Sequence, residues 1–324
     1  MSLPGPDRPS KFSAPSQTVP ILCLLGVVAL LSLITPAIKY VFQQSQLTFL
    51  GLAFGRVVIG FVFLAVGTAC LDWRGLRGIR VRDCVPLGLV GFLGVGAYAV
   101  AAWGLQYTSV THYALVYSLL PTFTTLFSCI LGKDRSYPLT WFGILLSWGG
   151  CVIAISDGIP FQHVHFGFGD RLALLFTGMM SAHIVLSGTI VRRHGVLVSN
   201  TAMFGTSALV LAVITVAWGS APGESDLSWG VAGAVLFIGL GTAAVFLLRC
   251  RSLQSLTPAT VGTYHNFIPI STIVLAHLSL GEPLTLQTII GAAAVMLGSE
   301  LVRRASLYTS GAGLLRLLLF PKAT

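Results

Sequence analysis

The sequence predicts an all-α membrane protein: ten transmembrane helices in two inverted five-helix repeats, both termini cytoplasmic. Three observations predict it. The chain is too apolar for water, with 55% hydrophobic and 9% charged residues and a mean hydropathy of +0.86, whereas soluble domains carry about 25% charged residues. Apolar runs long enough to span a bilayer, about 20 residues each, recur down the whole length. Finally, Gly91, Leu105, Gln106, Pro121, Gly143 and Gly150 return 148 positions later as Gly239, Leu253, Gln254, Pro269, Gly291 and Gly298. Five spans per copy is an odd number, so the second copy enters the membrane from the opposite side.

In chain order, residues 1–18 hold Pro4, Pro6, Pro9 and Pro15 among serines and read as a disordered cytoplasmic tail. The first span, 19–38, is followed by no small-x-small cleavage site and is expected to be retained. Pro36 is expected to loosen it, and Lys39 ends it on the outer side. The second, 47–71, carries Arg56 together with Gly51 and Gly55; the third, 84–105, is rich in glycine, which lets helix backbones approach closely. The fourth, 110–131, presents His112, Tyr113 and Tyr117 before Pro121, and the fifth, 137–156, completes the first repeat, 19–156. Spans 168–190 (with His183), 199–218, 229–249, 258–279 (with Tyr264, His265 and Asn266 before Pro269) and 284–302 make the second repeat, 168–303. Residues 304–324 form a tail, cytoplasmic or lying in the interface over Leu314–Phe320.

Charge sets the orientation. With the N-terminus inside, all but three of the 19 Lys and Arg residues fall in cytoplasmic segments, Arg249 among them; Lys39 and Arg171 fall outside and Arg56 within a span. Positive charge resists translocation, so this bias fixes both ends inside a plasma (inner) membrane, multi-pass. The same distribution argues against nucleic acid as a partner despite the net charge of +9: the basic residues are scattered through short loops with no aromatic-interleaved patch. The six cysteines form no CxxC pair, which suggests neither a zinc site nor a disulfide framework. His163 and His165 have ligand-like spacing beside Asp157 and Asp170, but such pairs are common in loops; no metal and no cofactor is expected. No nucleophile elbow, phosphate loop or HExxH motif is present, which speaks against an enzyme.

The residues that carry chemistry lie within the spans. Arg56 sits nine residues past Leu47, about 14 Å into the bilayer, where an arginine costs about 2.5–3.5 kcal/mol. It therefore faces the bundle interior or a watery cavity, as an anchor for a substrate carboxylate or phosphate or as a structural group on backbone carbonyls. Lys39 either snorkels to the interface or stands at the mouth of a pathway. At the repeat offset Tyr117 matches His265, and each lies four residues before a proline, Pro121 or Pro269. Residues four apart share a helix face, and the proline frees the carbonyl there. Polar groups beside a broken helix at mid-depth are where transporter sites lie, although interhelical hydrogen bonding is the other reading. His183 is a further site candidate. His112, His183 and His265 are candidate carriers of a coupled proton.

The segments LQYTSVTHYALVYSLLP (105–121) and SLQSLTPATVGTYHNFIP (252–269), the latter followed by Leu280-Gly281-Glu282-Pro283-Leu284, resemble drug/metabolite transporters of the EamA type over about residues 20–303. In the first copy Lys133 stands where the family's glutamate usually stands, and Glu282 is read as a cap on the last helix. The resemblance implies ten helices around a central cavity, alternating access, and export or exchange of small metabolites. The expectation is a secondary transporter, an exporter or exchanger, of a small polar or amphipathic metabolite. A membrane enzyme or lipid-handling protein, and a non-transporting sensor on the same fold, are the alternatives.

Overall fold

The computed structural model describes residues 18–131, 138–156, 167–218, 228–253, 264–265 and 267–308. Among them every regular element is a helix. α1 is Thr18–Gln44, α2 Phe49–Leu71, α3 Trp73–Arg77 and α4 Val81–Gly91, which passes through a π-helical turn, Phe92–Gly96, into α5, Ala97–Tyr107. α6 (Val110–Tyr117) and α7 (Leu120–Ile130) divide the fourth expected span; α8 is Pro138–Ile155. The second half holds α9 (Phe168–His194), α10 (Val196–Ala217), α11 (Trp229–Leu253), α12 (Phe267–Leu280) and α13 (Leu286–Tyr308). Among the described residues eight helical segments are long and apolar enough to cross a membrane, and Phe267–Leu280 and Leu286–Val302 are shorter apolar helices. The protein is an integral, multi-pass membrane protein. The last helix runs on to Tyr308, so the expected C-terminal tail begins later than residue 304; residues 1–17 and 309–324, His163 and His165, Lys133 and Asn266 lie outside the described residues.

Local chemistry sets the ends of these helices. The Thr48 hydroxyl accepts from the Gly51 amide and starts α2. A single residue, Gly195, separates α9 from α10; its φ of +79° is open to glycine at no steric cost and lets two long helices meet with no loop. At the opposite end from the α1–α2 loop, the Asp83 carboxylate pairs with Arg193 at 3.1 Å, tying α4 to the end of α9.

The helices pack as two copies related by a two-fold. α1 packs on α11 and α12, and the matching contacts in the other half are α9 on α5 and on α7. α2 pairs with α10, and α8 with α13, so each of these helices meets its own counterpart. The α8–α13 seam shows the operator directly. A Cβ on Gly143 would come within 2.7 Å of the Gly298 carbonyl oxygen, and one on Gly150 within 2.7 Å of that of Gly291. Between them Ser147 Oγ donates to the Val295 carbonyl at 3.3 Å, a pair separated by the repeat offset of 148. As one number rises the other falls, so the helices cross antiparallel, with the axis at Ser147 and Val295. Tyr98 and Phe246, also 148 apart, meet in the same way, ring edge to face at 6.3 Å.

Candidate functional site

A cavity lies between the repeats, bordered by Thr35 on α1, Arg56 on α2, Tyr98 and Leu105 on α5, Tyr113 and Tyr117 on α6, Phe176 on α9, and Ile268 and Thr272 on α12. Its free space is about 30 Å³, room for roughly two waters. Phe176 forms one wall, with the rings of Tyr98, Tyr113 and Tyr117 at 5.6, 5.8 and 5.6 Å.

Arg56 is the cation on this cavity and is only 2% exposed. Its Nε donates to Thr242 Oγ1 on α11 at 2.5 Å, and its guanidinium carbon lies 3.7 Å from the centre of the Tyr98 ring. A desolvated cation–π contact is worth about 2 kcal/mol and a hydrogen bond from a charged group about 1.5–3 kcal/mol. Together these offset the insertion cost without neutralising the charge. Among the described residues no carboxylate pairs with Arg56, so its positive charge is presented to the cavity.

Next to the cavity, one turn beyond its wall residue Leu105, lies the turn Thr108–Ser109, which joins α5 to α6 and is held by three other elements. Lys39 Nζ donates to the carbonyls of Leu105 and Thr108, both at 2.8 Å, where α5 leaves carbonyls unpaired. Asp170 accepts from Thr108 Oγ1 at 2.5 Å and lies 3.9 Å from His112 Nδ1. Glu282 takes the Val110 and Thr111 amides, each at 2.8 Å, and Thr111 Oγ1 at 2.6 Å. With Ser109 Oγ accepting from the His112 amide, the first amides of α6 are satisfied, and a negative charge sits at the positive end of the helix. Gly281 aims this carboxylate: its φ of +69° ends α12 and swings Glu282 across the bundle. The expectation that Glu282 caps the last helix is thus corrected, since Thr285 Oγ1 accepts the Thr288 amide there.

The other expected site residues are distributed unevenly. Tyr113 and Tyr117 line the cavity with Arg56, whereas Lys39 and His112 belong to the Thr108–Ser109 turn. His183 is buried, with Nδ1 2.8 Å from the Val90 carbonyl and its ring 5.6 Å from that of Phe246. Tyr264 packs against Leu24 and the Phe267 ring instead of the cavity, and His265 is half-buried. The fourth span does break before Pro121: Ser118 and Leu119 separate α6 from α7, and Pro121 occupies the first turn of α7. Pro269 likewise falls in the first turn of α12. Pro36 makes no break; α1 runs through it, because neighbouring helices enclose the turn.

Three participants were not anticipated: Tyr98, Thr242 and Arg249. Arg249 was counted among the loop cations, but α11 continues past it to Leu253 and leaves it 5% exposed. None of its three guanidinium nitrogens makes a close hydrogen bond; the Tyr117 hydroxyl faces it in a longer contact. Its guanidinium carbon lies 5.6 Å from the Phe246 ring centre, and the Tyr117 hydroxyl is within electrostatic reach. A contact of that length recovers about 0.5–1 kcal/mol against an insertion cost of about 2.5–3.5 kcal/mol.

Two stretches of the chain, residues 18–156 and 167–304, match the EamA-like transporter family. The chain belongs to this family. The EamA relatives it is similar to include the uncharacterized transporter YyaM of Bacillus subtilis, 25% identical over 250 residues, covering 76% of this chain and 80% of that one. Another is a probable terminal-alkyne amino-acid exporter of Streptantibioticus cattleyicolor, 25% identical over 278 residues, 79% and 84% covered. A crystal structure sharing 18% identity superposes with a TM-score of 0.62 over 91% of this chain and 99% of that chain, which speaks for the fold alone. As an EamA-family transporter the protein acts on a small-molecule substrate within the membrane. Among the described residues no group of three or more His, Cys, Asp or Glu side chains could hold a metal ion.

Proposed function

We propose that this protein is a secondary transporter, an exporter or exchanger, for a small amphipathic metabolite carrying an acidic group. It works by alternating access across ten spans with both termini cytoplasmic, in two five-helix repeats, 19–156 and 168–303. The observation that carries the reading is Arg56: a buried cation on an aromatic-walled cavity, held by a neutral threonine and a ring face instead of a carboxylate. An acidic substrate group supplies the missing anion, and the rings of Tyr98, Tyr113, Tyr117 and Phe176 receive its apolar body. A space for two waters does not admit a metabolite, so loading requires the repeats to part. The two-fold packing supports a rocking motion in which the α8–α13 and α2–α10 seams stay together. The name of the Streptantibioticus relative supports an amino-acid-like cargo and the outward direction. A coupled proton on His112, His183 or His265 is part of the proposal.

The test is mass spectrometry of medium and cell extract from cells expressing the wild type, Arg56→Lys or Arg56→Met, with membrane insertion checked for each. We expect an acidic metabolite enriched in the medium only with the wild type, partial retention with lysine and loss with methionine. Equal release from wild type and Arg56→Met removes Arg56 as the anchor.

A further inference from the structure

Among the described residues, Arg249 is a buried charge whose burial its packing does not offset. It is 5% exposed, and Nε, Nη1 and Nη2 make no close hydrogen bond, the Tyr117 hydroxyl facing them only in a longer, weaker contact. A structural arginine at this depth would donate to backbone carbonyls or pair with an acid. Among the described residues no carboxylate pairs with it. Its surroundings are rings: the Phe246 face, the Tyr117 hydroxyl, and His183, whose imidazole also packs on Phe246.

Its position relates it to the site already described. Thr242, which holds Arg56, and Arg249 are seven residues apart on α11, so they lie two turns apart on one face, about 10 Å along the axis. Phe246 stands between them on the same helix, four residues from Thr242 and three from Arg249. Tyr117 borders the Arg56 cavity on one side and faces Arg249 on the other. The two buried cations therefore line one helix face, with an aromatic partition between them.

We propose that Arg249 is a second anion station on the substrate path, one step beyond the Arg56 cavity toward the C-terminal end of α11. It takes the carboxylate of a monocarboxylate with an apolar or aromatic body when the Tyr117 partition moves. The proposal rests on the anionic-substrate reading and adds to it a site and a substrate class. The arrangement suits a relay: a compact monocarboxylate held at one cation can pass to the other along the rings of Phe246 and Tyr117. The state seen here, without a close partner, is then the station between visits.

The experiment uses the full chain, purified and reconstituted in proteoliposomes, with [14C]phenylacetate as the probe and neutral phenylacetamide as the control. Wild type, Arg249→Met, Arg249→Lys and Arg56→Met are compared by phenylacetate exchange, equilibrium binding in nanodiscs and thermal midpoint in detergent. Removing a buried charge that has no close partner relieves the fold, so Arg249→Met is expected to melt at or above the wild-type temperature. Its exchange is expected to fall at least about tenfold, with binding at the Arg56 cavity retained and exchange partly restored by Arg249→Lys. Arg56→Met is expected to lose binding itself, which separates the two stations. Exchange by Arg249→Met at the wild-type rate overturns the proposal and leaves the Arg56 reading standing. A lower midpoint for Arg249→Met, rescued by Arg249→Lys without any change in exchange per folded protein, assigns Arg249 a structural role and overturns it too. Failure of the wild type to bind or exchange phenylacetate in preference to phenylacetamide overturns the monocarboxylate class, and the second station with it.

Discussion

Replacing Glu282 with alanine unties the start of α6. The carboxylate accepts from two backbone amides at 2.8 Å and one hydroxyl at 2.6 Å. Each hydrogen bond to a charged group contributes about 1.5–3 kcal/mol net. Glu282 is half-exposed, so water replaces part of what is lost, and roughly 2 kcal/mol of local stability should go. That corresponds to about a 30-fold increase in the open population of the first turn of α6. Hydrogen exchange followed by mass spectrometry reads it directly: peptides covering Thr108–Ala114 should exchange about 30-fold faster, while peptides from the middle of α8 should not change. Glu282→Gln should fall between the two, because the amide keeps one acceptor oxygen but loses the charge. Unchanged protection over Val110–His112 in Glu282→Ala would refute the cap.

Further outcomes follow from the same geometry. Gly150→Val and Gly291→Val should each lower stability by about 1–3 kcal/mol through overpacking, and to a similar extent, because each would drive a side chain into its counterpart's backbone across one two-fold seam. Gly149→Ala, one residue from Gly150 but with nothing within 4 Å of its added Cβ, should stay within about 0.5 kcal/mol of wild type; detergent thermal unfolding compares all three. Gly94→Ala should push the His183 ring off the Val90 carbonyl, costing about 1–3 kcal/mol and speeding hydrogen exchange through the Phe92–Gly96 turn; an unchanged exchange pattern there would count against a packed His183.

The fold was legible because it is written in bulk features: apolar runs set the helices, and the 148-residue echo set their pairing. The echo preserves the residues that fix backbone approach, such as Gly143, Gly150, Gly291 and Gly298, and those survive in both copies because both copies need the seam. The site was legible where a polar group interrupts an apolar run, as at Arg56, Tyr113 and Tyr117. It was not legible where the deciding fact is which face a residue presents. Tyr98 and Phe246 sit 148 apart, and an aromatic pair at the repeat offset was the available signal. Arg249 was misplaced because its apolar run ends there in the sequence, beside Arg251; one more helical turn, to Leu253, carries it inside. Glu282 points across the bundle because of Gly281, and a left-handed residue's effect on direction cannot be read without the helix it turns away from.

The two halves keep a common packing but not a common chemistry. At the repeat offset Arg56 matches Phe204, Thr242 matches Gly94, Lys39 matches Ser187 and Asp170 matches Leu22. Symmetric packing keeps the two closed arrangements of a rocking transporter near each other in energy, so small polar differences decide between them. On the proposed cycle, the clamp formed by Lys39, Asp170 and Glu282 on the Thr108–Ser109 turn favours closure at that end, and no equivalent set exists at the offset positions. A loss of roughly 2 kcal/mol from the clamp shifts a two-state equilibrium by about 30-fold. Glu282→Ala should therefore do more than loosen α6: it should raise the share of molecules open at the clamped end. A cysteine placed at Thr35, on the cavity wall, would report it through faster labelling by a membrane-impermeant thiol reagent applied from that side. Equal labelling in the two backgrounds would mean that the clamp stiffens the turn without governing which way the cavity opens.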